Sequence, residues 1–334
     1  MTQLVCAIDG ENVSFALVTG GSDVRLDAVR QFRTAEFPTF TDALQAYTRE
    51  NRLSTAGLPL GLAVAGVTGG DIVTLANCRW YISVSGLRAF LAREPLLIND
   101  FEAIAWSLAD IDISRLTRVG PLAPRTAEPG RRFLVVGTGP GLGMASLIVG
   151  ESGAVTVVAG EGGHSSFAPQ TPQEDALLVQ LRARLGHVSF ERLLASAGLQ
   201  AIQAAVAESK GRPGVPPAAE TIVASALRGD AIALEAADLF TAMLGSFAGN
   251  MVLCTGAFDG LFLVSPLLRS MLPLIERGKF RAAFVAKGRM RKALEQVPVS
   301  FAADAHARLL GVAAALRART PQGPADPQAV RSAA

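Results

Sequence analysis

The stretch Leu96-Leu97-Ile98-Asn99-Asp100-Phe101 is an apolar run that ends in an amide and a carboxylate. A short apolar run of this kind predicts a buried β-strand. In open α/β sheets, ligands bind just beyond the carboxyl ends of the strands. Asp100 is therefore the first candidate for chemistry. A second interpretation is structural, because Asp is a good N-cap and residues 101–108 are predicted to form a helix.

The composition indicates a folded chain with room for two domains. The chain has 334 residues, of which 50% are hydrophobic and 18% are charged, which excludes a disordered body. No segment approaches the roughly 20 unbroken apolar residues of a membrane helix, so no membrane association is expected. The first residues lead directly into an apolar strand without a basic region or cleavage site, which favours the cytoplasm.

Charge and cysteine content exclude two further classes. The formal net charge is only +2, so no nucleic-acid partner is predicted. One basic cluster lacks the aromatic residues that would stack on bases, and we interpret it as a solvated helical face: Arg277, Lys279, Arg281, Lys287, Arg289, Arg291 and Lys292. Cys6, Cys78 and Cys254 are few, widely separated and set in apolar surroundings, so buried reduced thiols are expected and no metal site.

The order of predicted elements is repeated along the chain. The first half reads as strands at 4–9, 13–18 and 24–32, a helix at 40–50, strands at 58–67 and 72–75, a helix at 84–92 and the strand before Asp100. The second half has strands at 133–136, 144–149, 154–159, 261–265 and 297–301, with helices among them. A last helix is predicted at about 307–317. Two α/β halves of like topology are therefore expected.

Two further motifs match the stretch that ends in Asp100. They are Gly160-Glu161-Gly162-Gly163-His164-Ser165-Ser166-Phe167-Ala168-Pro169 and Gly186-His187-Val188-Ser189-Phe190-Glu191-Arg192. In order and spacing, these stretches resemble the sugar-binding half of the bacterial glucokinase family. The resemblance runs from about residue 4 to 316 and includes Phe280-Arg281-Ala282-Ala283-Phe284 and Lys287-Gly288-Arg289.

The resemblance implies a fold and a domain plan. It implies a two-domain α/β structure of the actin-like ATPase (ribonuclease H-like) fold, with the active site in the interdomain cleft. The smaller domain would comprise residues 1–106 and a C-terminal helix at about 303–317, and the larger one residues 107–302. Residues 318–334, with their prolines and small residues, are expected to be a disordered tail. Family members are commonly homodimers, so a homodimer is expected.

The resemblance also assigns the acceptor side of a phosphoryl transfer. It implies that Asn99 and Asp100 hold the attacking hydroxyl, with Asp100 accepting its proton. Glu161, His164 and Glu191 would bind the other hydroxyls of glucose or a similar hexose, and Asn77 matches a family position near the sugar, in a stretch that keeps the family's Trp at Trp80. Carboxylates and imidazoles can bridge vicinal hydroxyls, which agrees with this assignment. Gly162 and Gly163 are expected to let the backbone approach the sugar ring.

The donor side departs from the family pattern. The family's first phosphate loop aligns with Ala7-Ile8-Asp9-Gly10-Glu11-Asn12, where the metal-associated Asp falls on Ala7 and a Thr falls on Glu11. Asp9, Gly10 and Asn12 remain candidates for binding ATP and Mg²⁺, with Asp9 taking the metal role. Glu11 is unfavourable, because a carboxylate about 4 Å from a phosphate charge costs roughly 4 kcal/mol at an effective dielectric near 20.

Two other nucleotide positions are altered as well. Gly137-Thr138-Gly139-Pro140-Gly141-Leu142-Gly143 resembles the second phosphate loop with Pro140 in place of Thr, so Gly139, Gly141 and Gly143 are further nucleotide candidates. A strand is predicted to follow this loop, which excludes a Rossmann fingerprint. Ser265-Pro266 stands where the family has two glycines beside adenosine.

Three hypotheses remain open from the sequence. The first is an ATP-dependent glucokinase that phosphorylates the 6-hydroxyl of glucose. The second is an impaired relative that binds sugar as a sensor or regulatory protein, which the three altered loops favour. The third is a hexose kinase with another phosphoryl donor, such as polyphosphate or ADP.

Overall fold

The computed structural model describes residues 2–19, 24–75 and 78–319. The chain forms two compact units. Unit 1 comprises Met1–Ser107 and His306–Ala334, and unit 2 comprises Leu108–Ala305. Each unit has a hydrophobic core of its own.

Unit 1 is built on a mixed sheet. Within its described residues five strands form this sheet in the order β3-β2-β1-β4-β7, and β5 and β6 form a separate hairpin. β1 pairs antiparallel with β2 and parallel with β4, and β7 pairs parallel with β4. The elements are β1 (Gln3–Ile8), β2 (Asn12–Thr19), β3 (Arg25–Arg33), α1 (Phe40–Glu50), β4 (Leu60–Val64), β5 (Ile72–Thr74), β6 (Tyr81–Ser83), α2 (Val84–Leu91), β7 (Leu96–Asn99) and α3 (Asp100–Leu108).

The predicted bounds of α1 are confirmed, and the reason is local. Thr39 and Asp42 form a capping box at the start of the helix, which satisfies backbone donors that would otherwise lack partners. The buried face of α1 stacks its aromatic rings on Phe15 of β2, with Tyr47 at 4.9 Å and Phe40 at 6.1 Å between ring centroids. These contacts fix the helix against the sheet.

Unit 2 repeats the pairing pattern of unit 1. Within its described residues six strands run in the order β11-β10-β9-β12-β13-β8. β9 pairs antiparallel with β10 and parallel with β12, so the predicted repeat of topology is confirmed. The strands are β8 (Leu116–Val119), β9 (Arg132–Thr138), β10 (Leu142–Val149), β11 (Val155–Gly160), β12 (Gly260–Val264) and β13 (Val299–Ala302).

The helices of unit 2 lie mostly after β11. They are α4 (Pro172–Leu185), α5 (Phe190–Leu194), α6 (Ser196–Ser209), α7 (Ala219–Leu227), α8 (Ala231–Thr255), α9 (Pro266–Ser270), α10 (Leu272–Glu276), α11 (Lys279–Val285) and α12 (Arg291–Glu295). Among the described residues, α8 alone is long and apolar enough to cross a membrane by length and composition. It is the central core helix of unit 2, since 61% of its apolar window is buried there.

The last helix, α13 (Ala307–Arg319), packs on β1 and β4 of unit 1. Gly61 of β4 allows this approach, because a Cβ there would lie 2.8 Å from Leu316 Cδ1. The helix includes residues 318 and 319, so the expected tail cannot begin at residue 318. Residues 320–334, the rest of that tail, lie outside the described residues.

Several expectations about local structure are corrected. The predicted strand at 58–67 is shorter and covers only Leu60–Val64. β6 and β8 were not predicted, because each is a short strand of three or four residues. Among the three cysteines, which are all free, Cys6 is buried as expected, whereas Cys78 is half-buried and Cys254 is exposed.

Two members of the basic cluster are not on a solvated face. Arg281 is half-buried and donates to the carbonyl oxygens of Val297 (2.9 Å) and Glu295 (2.7 Å). Lys287 is also half-buried and donates to Ser246 Oγ at 3.0 Å. Their alkyl stems pack inside unit 2 while their charged groups reach polar partners.

Candidate functional site

Asn99 and Asp100 lie where β7 ends and α3 begins. Asn99 Oδ1 accepts hydrogen bonds from the backbone N–H groups of Phe101 (2.8 Å) and Glu102 (3.3 Å), which is the pattern of an N-cap. The structural interpretation of Asp100 as the cap is therefore wrong, since Asn99 has that role. Asp100 is the first residue of α3, and its Oδ1 accepts from Phe101 N–H at 3.0 Å.

The side chain of Asn99 also ties down a neighbouring loop. Its Nδ2 donates to the carbonyl oxygen of Gly66, 3.2 Å away, in the segment that follows β4. The oxygen of this amide is thus used by the helix cap, and one of its two N–H groups is used by Gly66. One N–H of Asn99 is left for a ligand.

The C-terminal helix supports α3 behind Asp100. A Cβ at Gly311 would overlap the carbonyl oxygen of Ala103, so α13 and α3 touch backbone to backbone at this point. Arg319 Nη2 pairs with Glu102 Oε1 at 2.7 Å. Because Glu102 is two residues from Asp100, the C-terminal end of the described chain helps to orient the start of α3.

In unit 2 the structure brings together three of the residues assigned to the sugar. His164 Nε2 lies 3.7 Å from Glu161 Oε2, and His164 Nδ1 lies 3.9 Å from Glu191 Oε1. The side chains of Glu161 and His164 are more than half exposed, and that of Glu191 is 29% exposed. These spacings exceed a hydrogen bond, so the three groups are close but leave polar atoms open to a ligand.

Packing within unit 2 explains why residues 162 and 163 are glycines. A Cβ at Gly162 would lie 2.5 Å from Met144 Sδ and 2.8 Å from Met251 Sδ. A Cβ at Gly163 would clash with the carbonyl oxygen of Leu142. The glycines therefore let this loop sit on β10 and α8, which is a reason that the sequence alone did not indicate.

The second glycine loop is held by Glu191 and by Ser196. Leu142 N–H donates to Glu191 Oε2 at 3.1 Å, and Ser196 N–H donates to the carbonyl oxygen of Gly139 at 2.7 Å. A Cβ at Gly141 would lie 2.8 Å from Glu191 Oε2. Thus Gly139 and Gly141 form a hairpin turn against the start of α5 and α6, and Gly143 is a paired residue of β10. The strand predicted after this loop is confirmed.

The first glycine loop is a tight turn between β1 and β2. Asn12 N–H donates to Asp9 Oδ1 at 2.8 Å, and Gly10 has φ +97°, a conformation that favours glycine. Thr34 Oγ1 donates to the carbonyl oxygen of Gly10 at 2.9 Å. Glu11 is exposed. One oxygen of the Asp9 carboxylate is therefore used by the turn.

Ser265 and Pro266 start the short helix α9. Ser265 has φ +117° and ψ 153°, a region that is almost restricted to glycine. Its Oγ accepts from Leu268 N–H at 3.3 Å, and Pro266 occupies the first helical position. A glycine would adopt this backbone conformation without strain, whereas this chain has a serine there.

Asn77 and Trp80 match the family near the sugar, and the structure describes only Trp80. Asn77 lies outside the described residues. Trp80 is buried and its Nε1 donates to the carbonyl oxygen of Phe37 at 3.1 Å, so it belongs to the core of unit 1.

Across residues 2–19, 24–75 and 78–319, no three His, Cys, Asp or Glu side chains lie close enough to hold a metal ion.

Comparisons with known proteins agree with these motifs. The family model described as Glucokinase matches residues 4–319. A Glucokinase of Stenotrophomonas maltophilia is 38% identical over 318 residues, which cover 93% of each chain. A Bifunctional protein glk of Burkholderia orbicola is 35% identical over 94% of this chain, and the chain spans about half (48%) of that longer relative.

The fold agrees as well. The crystal structure of a glucokinase from an Antarctic psychrotroph superposes with a TM-score of 0.82, 29% identity and coverage of 95% of this chain and 98% of that one. This chain therefore has the two-domain actin-like ATPase fold. With the family model matched over nearly its whole described length, and with the three motifs in order, the chain belongs to the glucokinase family.

Proposed function

We propose that the protein is an ATP-dependent glucokinase that transfers the γ-phosphoryl group of ATP to the 6-hydroxyl of glucose. The observation that carries this proposal is the grouping of Glu161, His164 and Glu191, in which the imidazole lies 3.7 Å from one carboxylate and 3.9 Å from the other. Together they present carboxylate and imidazole groups that can accept from and donate to neighbouring hydroxyls of a hexose. The names of the relatives support glucose as the hexose.

Asp100 is assigned as the proton acceptor. Phosphoryl transfer needs a positioned hydroxyl and a group that takes its proton, and a carboxylate at the start of a helix is suited to both. Asn99 would donate its remaining N–H to the same hydroxyl, because its other polar positions already bind Glu102 N–H and Gly66 O. Glu161, His164 and Glu191 would bind the other hydroxyls and so select the hexose.

The residues assigned to Mg²⁺–ATP are one carboxylate, one asparagine and four glycines. Mg²⁺ in kinases is usually bound by one or two carboxylates, water and substrate phosphates, so one free oxygen of Asp9 fits this role. The ion would neutralise charge on the transferring phosphate. Gly10, Asn12, Gly139, Gly141 and Gly143 are assigned to the polyphosphate. A Cβ at Gly139 would meet no atom within 4 Å, which leaves room for a phosphate beside this turn.

The three altered loops are the argument for a sugar sensor, and the structure adds no observation that favours a sensor or another phosphoryl donor. A kinase that uses ATP and free glucose acts in the cytoplasm, and the proposal assigns the protein there. The homodimer expected from the family is retained as part of the proposal.

The test is a coupled assay for glucose 6-phosphate with Mg²⁺–ATP, together with calorimetry of glucose binding. Asp100→Asn should abolish turnover and preserve glucose binding, because it removes the proton acceptor but keeps a polar side chain of similar size. Asp110→Asn, an exposed position, is the matched control and should retain activity. Glucose binding by the wild type without turnover would reject the ATP-dependent kinase, and the same assay with polyphosphate or ADP would then separate another phosphoryl donor from a sensor.

A further inference from the structure

The loop at 161–170 carries Glu161 and His164 and connects β11 to α4. Its middle pairs with the segment before α5, since Phe167 N–H donates to Val188 O at 2.9 Å and Phe190 N–H donates to Ser165 O at 3.0 Å. Gly162 rests on Met251 of α8. The loop is therefore fixed on one side by β10, α8 and the start of α5.

The far end of the loop is fixed by a buried carboxylate. Gln170 N–H donates to Glu174 Oε2 at 2.7 Å, and Glu174 is only 4% exposed. Glu174 N–H in turn donates to Thr171 Oγ1 at 3.2 Å, the N-cap of α4. Buried carboxylates are rare unless they are paired, so this group needs a reason to be inside unit 2.

Lys287 is a half-buried cation of the same unit, and it forms no direct ion pair with Glu174. Its Nζ donates to Ser246 Oγ of α8 at 3.0 Å, and its stem packs over Gly249, where a Cβ would lie 2.9 Å from Lys287 Cε. Burial raises the pKa of Glu174, while the Gln170 N–H and the charge of Lys287 act to lower it and Asp175 acts to raise it. Burial lowers the pKa of Lys287, and Glu174 opposes that shift. Burial therefore outweighs the opposite charge at both groups.

We propose that Glu174 is a positioning residue for hexose binding, which holds the end of the loop that carries Glu161 and His164. Gln170 is six residues beyond His164, so a shift of its backbone would be passed along a short segment to the imidazole. Small displacements of binding groups can have large effects on a rate. This inference rests on the proposed function for its kinetic readout, although the loop itself can be observed without a sugar.

The experiment compares variants that keep or remove the acceptor for Gln170 N–H. Glu174→Gln keeps an oxygen for this donor, whereas Glu174→Leu removes its acceptor. Lys287→Met removes the positive charge of Lys287 and keeps an unbranched side chain. The controls are Glu220→Leu, an exposed carboxylate in the first turn of α7, and Lys292→Met, an exposed lysine on α12.

Two measurements are made on each full-length variant. Amide hydrogen exchange without sugar reports on residues 162–170, and steady-state kinetics report KM for glucose and for ATP separately. We expect Glu174→Leu to raise exchange in this loop and the KM for glucose by about tenfold, with the KM for ATP unchanged. Glu174→Gln should restore both values toward the wild type, and Lys287→Met should act in the direction of Glu174→Leu.

The outcomes separate the inference from the proposed function. Unchanged loop exchange in both Glu174→Leu and Lys287→Met would overturn the inference, as would equal changes in the KM values for glucose and ATP. If Glu174→Leu does not fold, Lys287→Met and Glu174→Gln still decide it. If the wild type does not phosphorylate glucose, the proposed function fails, and amide hydrogen exchange still tests whether Glu174 holds the loop.

Discussion

Glu191 Oε2 accepts a hydrogen bond from Leu142 N–H at 3.1 Å, while Glu191 Oε1 lies 3.9 Å from His164 Nδ1. One carboxylate therefore faces both the residues assigned to the sugar and the glycine turn assigned to the nucleotide. Both belong to unit 2, so this connection is made within one compact unit. It suggests that the acceptor and donor sides are less independent than their separate motifs indicate.

Glu191→Ala should affect both substrates. The change removes a hydroxyl partner and leaves Leu142 N–H without its acceptor, a loss of about 1 to 3 kcal/mol for a buried donor. We expect KM for glucose and KM for ATP to rise, each by about tenfold, in steady-state assays with either substrate varied. Glu191→Gln keeps an oxygen for Leu142 N–H and should alter mainly the glucose KM. An unchanged KM for ATP in Glu191→Ala would show that Glu191 does not connect the sugar residues to the glycine turn assigned to the nucleotide.

The backbone contact of Gly311 with Ala103 predicts a large effect of one methyl group. In Gly311→Ala the new Cβ would overlap Ala103 O, so α13 must move away from α3. Overpacking of this kind typically costs about 1 to 3 kcal/mol, and we expect a loss of at least about 2 kcal/mol in urea unfolding. Gly69→Ala is the control, because no atom lies within 4 Å of a Cβ there. Equal stability of the two variants would show that the helices do not approach each other this closely.

The sequence predicted the elements whose signals are local. α1 has a capping residue, an acidic residue three positions later and a periodic apolar face, so its bounds could be predicted. β6 is only three residues long and leads directly into α2. Three residues are too few to show the alternation of apolar and polar side chains that marks a strand, so the sequence did not separate β6 from the helix. β8 is an edge strand of four residues with Arg118 in its middle, and its apolar signal is correspondingly weak.

The prediction of the site residues came from the resemblance to a family and not from residue type alone. Glu161, His164 and Glu191 could be grouped by resemblance, but their distances come from the way α5 returns to β10. Lys287 was assigned to a solvated face because charge patterns do not show which side chain folds inward. Its neighbours Ser246 and Gly249 are about forty residues away in sequence, so only the packing of α8 reveals the contact.

The backbone of Ser265 predicts a stabilising change. Ser265→Gly should remove strain of about 1 to 3 kcal/mol, while replacement of a Ser N-cap by Gly costs only a few tenths of a kcal/mol. We therefore expect a gain of about 1 kcal/mol in the free energy of unfolding. Ser265→Ala keeps the Cβ and loses the cap, so it should destabilise by about 1 kcal/mol. Chemical denaturation of both variants is the measurement, and a less stable glycine variant would contradict the strain.

The cysteines should differ in reactivity. Burial raises the pKa of the Cys6 thiol well above its ordinary value, whereas Cys254 is exposed near the end of α8. The thiolate is the reactive form, so Cys6 should resist alkylation in the native protein and Cys254 should react. Iodoacetamide labelling followed by peptide mass spectrometry measures this directly, and labelling in denaturant provides the control. Early labelling of Cys6 would contradict its burial.

The buried carboxylate of Glu174 gives the stability a defined pH dependence. Because the pKa of Glu174 is raised in the folded protein, the folded state holds its proton at a pH where the unfolded state has released it. This group's contribution is therefore fully present below its ordinary pKa of 4.5 and is lost as the pH rises through the folded value. Glu174→Gln does not titrate at this position, so its stability relative to the wild type should increase as the pH is raised from about 4.5 towards 7. Thermal unfolding of both proteins at several pH values measures the difference. A difference that stays constant, or one that shrinks with rising pH, would mean that the carboxylate is not held in a desolvated position.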